Sequence, residues 1–148
     1  MYDPDQLTRD FKRQREIRAN LSEFNKGVVF DALASANITK VLVEFDGEGD
    51  NGQIESITAS RNGANTDLPP TAVLVQSVGW GATEPVTTEW SLAEAIETLC
   101  YDYLEYTHGG FENNDGGYGN FRFDVANRTV SLEMNERYID IHTTNHTF

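Results

Sequence analysis

Cations are scarce in this chain once its first segment is passed. Of eleven lysines and arginines in 148 residues, five lie beyond residue 26, where nineteen acids accompany them and leave residues 27–148 at a net charge of −14. A field of that sign repels phosphate backbones and anionic lipid, so no direct nucleic-acid binding is expected outside the first helix. Cysteine is rarer still: Cys100 is the only one, which excludes an intrachain disulfide and any thiolate cluster for zinc or iron–sulfur. No apolar run approaches the ~20 residues that span a bilayer, and Met1-Tyr-Asp-Pro-Asp lacks the basic-then-apolar order of a secretory signal. The expectation is a cytoplasmic protein with no membrane partner. Phosphate loops, dinucleotide fingerprints and serine-hydrolase elbows are missing as well.

What is present is enough for one core. Eight Phe, six Tyr and two Trp, within a hydrophobic fraction of 39%, rule out a disordered chain. The length suits a single domain, residues 1–148, divided into a peripheral basic helix (1–20) and an acidic body (21–148). Residues 5–19 are good helix formers with Leu7 and Phe11 four apart, and they leave Arg9, Lys12, Arg13 and Arg15 to solvent. Asn20 with Glu23 has the pattern of a cap opening a second helix, in which Phe24, Val28, Val29, Ala32, Leu33 and Ala36 would face the core. Ser91 with Glu94 marks a further helix start, followed by Leu92, Ile96, Leu99 and Tyr103 at helical spacing and ended by Gly109-Gly110.

Strands are expected at 41–45, 54–58 and 72–75, with an irregular connection over 61–71. Alternation of Phe121, Phe123 and Val125, then Val130, Leu132 and Met134, then Ile139 and Ile141, predicts a three-stranded meander over 120–142. Together these give an α+β domain: an antiparallel sheet of about six strands with helices packed on one side.

Candidate chemistry gathers in two loops. In the first, Asp46, Glu48 and Asp50 alternate as calcium-loop ligands do, but Asn51 stands where the glycine of such a loop belongs and Ile57 where its bidentate acid belongs. A long hairpin turn with solvated acids accounts for the segment better. In the second, His108, Glu112 and Asp115 place a histidine near carboxylates, the raw material for acid–base work, although His108 also suits the negative end of a helix dipole. His142 and His146 are four apart in a strand-like context, which spreads them over ~13 Å. Cys100, mid-helix among Glu97, Asp102 and Glu105, has the wrong surroundings for a nucleophilic thiol.

The runs Lys26-Gly-Val-Val-Phe-Asp-Ala-Leu-Ala-Ser-Ala-Asn-Ile38, Val43-Glu-Phe-Asp-Gly-Glu-Gly-Asp-Asn-Gly-Gln-Ile-Glu55 and Tyr103-Leu-Glu-Tyr-Thr-His-Gly-Gly-Phe-Glu-Asn-Asn-Asp-Gly-Gly-Tyr-Gly119 resemble DUF6878, a family of small bacterial proteins of unknown function. In that family Ser is usual at the position of Asn51, a substitution that keeps a small polar side chain. The resemblance implies a bacterial or phage origin and a shared fold, and it implies no activity. It directs attention to loops 46–53 and 108–118.

The functional expectation is therefore a non-catalytic accessory or inhibitor protein that binds a basic protein partner, with no catalytic residue, metal or cofactor assigned. The candidate interaction residues are Asp46, Glu48, Asp50, Asn51, His108, Glu112 and Asp115. Three alternatives stand beside it: a metal-dependent or hydrolytic enzyme using the two loops, a nucleic-acid mimic such as an anti-CRISPR protein, and a homodimer that lays its basic first helix on the acidic body of its mate.

Overall fold

A computed structural model describes residues 4–48, 51–79, 84–108, 116–137 and 142–148. Its first element is α1, Pro4–Ser35, a single helix of 32 residues. Asn20 does not open a second helix. Asparagine inside a helix costs well under ~1 kcal/mol relative to alanine, and its neighbours Ala19 and Leu21 favour the helix, so nothing forces a break. The end of α1 is sharply defined. Asn37 adopts a left-handed φ of 59°, Ile38 N–H donates to Leu33 O at 3.0 Å and Asn37 N–H donates to Ala34 O at 3.0 Å, a Schellman stop. The Arg61 guanidinium takes up the carbonyl of Ala36 at 2.8 Å.

The main sheet is antiparallel and six-stranded. It contains β1 (Lys40–Glu48), β2 (Asn51–Arg61), β3 (Ala64–Thr66), β6 (Gly117–Asp124), β7 (Thr129–Glu136) and β8 (His142–Thr147), in the order β3-β2-β1-β6-β7-β8. The remaining strands, β4 (Ala72–Ser77) and β5 (Val86–Ser91), form a separate two-stranded ribbon just before α2 (Leu92–His108). The α+β reading thus holds, with the 72–75 strand in the ribbon and not in the main sheet. Strands β3 and β5 had no strong period-two signal. The expected meander continues into β8, while Ile139 and Ile141 lie outside the described residues.

Alternation decides which sheet face is dry. Val41, Val43 and Phe45 of β1, Phe121 and Phe123 of β6, and Val130, Leu132 and Met134 of β7 are buried on one side. A bulge extends this face onto β2: Glu44 pairs with Ser56 but Phe45 pairs with Ile54, so Glu55 is extra and both Ile54 and Ile57 pack on the core despite their odd spacing. Val29, Phe30 and Leu33 of α1, and Leu92, Ile96, Leu99 and Tyr103 of α2, complete the core, together with Val73 and Val75 of β4. Phe24, expected inside, is 48% exposed. The far face of the sheet is polar, with Glu44 and Arg122 exposed and Asn120, Ser131, Glu133 and Asn135 half-buried.

Side chains join the layers. Asn25 of α1 donates its amide to Gln76 O and accepts from Gln76 N–H, both at 2.8 Å, and so serves β4 as a substitute neighbouring strand. Arg128, at the β6–β7 turn, pairs with Asp31 and stacks 5.6 Å from the Phe30 ring centre, fixing α1 to the sheet end.

Candidate functional site

Helix α2 begins as its sequence requires, with Ser91 Oγ accepting from Glu94 N–H at 3.1 Å. Its apolar stripe holds it over the sheet and delivers His108, its last residue, to the β7–β8 edge. There the His108 side chain is only 8% exposed. Its Nδ1 lies 2.7 Å from Glu136 Oε1, while its Nε2 lies 2.9 Å from Thr144 Oγ1 and 3.0 Å from His146 Nε2. The two imidazoles meet edge to face with centres 5.1 Å apart. Phe148 stacks on Tyr103 at 4.3 Å and, more distantly, on His146 at 6.2 Å, which gives the cluster an aromatic wall.

The strand pattern explains why these groups meet. Glu136 is in phase with the buried Val130, Leu132 and Met134, and register pairs Met134 with Thr144 and Leu132 with His146. A carboxylate and an imidazole are thereby carried onto the covered face near its edge. Glu136 and Thr144 were not among the residues that sequence reasoning selected. The available signal was an acid sitting in the core-facing phase of an apolar strand.

Because a carboxylate only accepts, the Glu136 contact places the proton of a neutral His108 on Nδ1 and leaves a lone pair on Nε2. Hydroxyl, imidazole and carboxylate then fall in the order used by activated nucleophiles. His146 competes for the same lone pair, however, and so two groups converge on a single acceptor.

Asp46 belongs to a different place. It follows the inward-facing Phe45 and so points to the polar face, where its carboxylate accepts from Arg137 Nη2 at 2.9 Å. Arg137 also donates to Gly47 O at 3.1 Å and covers the Tyr118 ring at 5.1 Å. The inner flanks of the two loops do approach, since Gly47 pairs with Gly117. Even so, Asp46 and His108 lie on opposite faces, each with its own partner. Glu48 and Asn51 form the last described pair of the β1–β2 hairpin; Asp50, Glu112 and Asp115 lie outside the described residues. Among the described residues no three histidine, cysteine or carboxylate side chains converge as metal ligands.

The charged surface is partitioned. Arg9, Lys12, Arg13 and Arg15 are exposed on α1. In the body, Arg61, Arg122, Arg128 and Arg137 each have a carbonyl or carboxylate partner within the fold. No lysine or arginine occurs between Arg61 and Arg122, a stretch that contains nine acids. Glu84, Glu89, Glu94 and Glu105 from it are exposed on β5, α2 and the segment before them. Leu74, 60% exposed, stands directly across from Glu89, and Val86 is 59% exposed on the same ribbon. Cys100 is fully buried, and burial, then Glu97 and Asp102, pushes its thiol well above the usual value, which leaves it unreactive.

The sequence profile described as a family of unknown function, DUF6878, covers residues 21–148. No curated protein and no solved structure matches the chain. The profile starts within α1, so the exposed basic half of that helix falls before the matched region.

Proposed function

We propose, from the premise that the chain belongs to the DUF6878 family, that it is a non-catalytic interaction protein whose acidic face on β4, β5 and α2 docks a basic protein partner in the cytoplasm. The observation that carries this reading is Leu74: a large apolar side chain held out to solvent, opposite Glu89, on a ribbon whose own strands carry no lysine or arginine. Interfaces combine an apolar anchor with a polar rim, and charge of one sign steers a partner of the other before the anchor engages. Glu89 stands beside Leu74, and the exposed acids of α2 add to the field. Asp46, by contrast, is already neutralised by Arg137. A partner that ordinarily grips phosphate backbones would also fit this surface, which is the inhibitor version of the same reading.

A second reading takes its support from the exposed cations of α1. Arg9, Lys12, Arg13 and Arg15 offer the complementary charge within the chain itself, so that a second copy meets the same requirement.

The test is affinity purification from the native host at ~0.15 M salt, where charges beyond roughly 8 Å are already screened. Wild type is compared with a Leu74→Ser/Glu89→Lys variant. The expected result is a stoichiometric basic partner whose binding falls at least about tenfold in the variant and also weakens at high salt. Equal capture by wild type and variant, or a partner that is not basic, would overturn the proposal.

A further inference from the structure

We infer that His108 and His146 together hold one divalent transition-metal ion of the class that prefers imidazole, with Glu136 as the group that fixes the tautomer of the His108 ligand. Three features of the cluster lead there. First, in the neutral tautomer with its proton on Nδ1, His108 Nε2 meets two groups, Thr144 Oγ1 at 2.9 Å and His146 Nε2 at 3.0 Å, with a single lone pair. In that tautomer a cation between the two nitrogens takes a lone pair from each imidazole. Second, the nitrogens are already near the required separation. Metal–nitrogen bonds of ~2.0–2.1 Å at a tetrahedral angle put two ligand nitrogens about 3.4 Å apart, an opening of a few tenths of an ångström from the observed contact.

Third, the surroundings are those of a ligand pair and not of a plain core contact. Histidine ligands characteristically donate their second N–H to a carboxylate, and His108 Nδ1 does so to Glu136 at 2.7 Å. Both histidines are held firmly: His108 by the end of α2, and His146 by the β7–β8 register. His146 is a half-buried residue on β8, the edge strand of the sheet. Because no third ligand side chain converges among the described residues, the rest of the coordination shell falls to water, and Thr144 supplies a hydroxyl beside it. Imidazole nitrogen favours Zn²⁺, Ni²⁺ and Cu²⁺ over Mg²⁺ and Ca²⁺, which favour oxygen.

The experiment is calorimetric titration of untagged, chelator-washed full-length protein with ZnCl₂, and with MgCl₂ as the control. Saturable heat at one Zn²⁺ per chain, with none for Mg²⁺, is expected. His146→Asn should abolish the Zn²⁺ heat, and Glu136→Gln should weaken it roughly tenfold by releasing the His108 ring. Electron paramagnetic resonance of the wild-type protein with one equivalent of Cu²⁺ adds a readout that needs no variant: coupling to two imidazole nitrogens is expected. Absence of saturable Zn²⁺ heat, retention of it in His146→Asn, or a copper spectrum without two-nitrogen coupling would overturn the site. Since neither Leu74 nor Glu89 takes part, that failure would leave the docking surface untouched.

Discussion

Asp102 lies where α1 meets α2, and burial pushes its carboxyl above the usual range, against the opposing effects of the Ser22 hydroxyl at 3.2 Å and of Arg18. A raised value means that the folded state binds the proton more tightly than the unfolded chain does. The stabilisation linked to that proton is complete below the unfolded value, near pH 3.9, and is lost as pH rises through the folded one. Asp102→Asn retains an acceptor for Ser22 and removes the charge, so thermal melts should show a higher Tm than wild type at pH 7. That advantage should shrink steadily as the pH is lowered to about 3.5. If the gap did not change with pH, the carboxylate would not be its source. At this scale the sequence was a poor guide, since nothing in the run Cys100-Tyr-Asp-Tyr103 announces that Ser22, eighty residues earlier, lies against the acid. The same holds for Glu136 and His146, which are brought to His108 only by strand register.

Among the elements, α2 could be read almost to the residue, because its cap, its stripe and its apolar spacing all point one way. The alternating strands β6 and β7 could be read for the same reason. Errors arose where local chemistry permits two outcomes. Asn20 is as compatible with a helix interior as with a cap, and the Ile54/Ile57 spacing makes sense only once a bulge at Glu44/Phe45 is known. β5, with two threonines, a glutamate and a tryptophan, is defined by its pairing with β4 and not by a pattern of its own. The ribbon depends in turn on Asn25. Asn25→Leu leaves the N–H and C=O of Gln76 without their partners and should cost about 1–3 kcal/mol in urea unfolding. A cost below about 0.5 kcal/mol would show that water replaces the amide at no penalty.

For the molecule as a whole, the division of charge is the property most visible in the sequence and the one that the fold sharpens. Folding assigns the body's arginines to structural duties, as with Arg61 at the end of α1 and Arg128 on Asp31, and leaves the acids of β5 and α2 facing solvent. Composition gave the sign of the charge but could not say which acids would be neutralised. If a second copy is the partner, sedimentation equilibrium at 0.05 M salt should show a dimer that dissociates at 0.5 M, as the Debye length shrinks to a few ångströms. Reversing Arg9, Lys12, Arg13 and Arg15 to glutamate should leave a monomer at both salts. A mass that responds to neither change would remove the self-association reading.

The surface formed by β4, β5 and α2 has one more consequence, which follows from the absence of amines between Arg61 and Arg122. Acetylation and ubiquitylation need a lysine, and the only lysine after residue 26 is Lys40, on β1. Enzymes that write on lysine therefore have nothing to modify on this surface, so control of docking there would have to come through phosphorylation of its hydroxyls or through competition. Trypsin, likewise, would release everything from Asn62 to Arg122 as one long peptide. Mapping the contact would therefore call for glutamate-directed proteolysis and carboxyl-directed cross-linking.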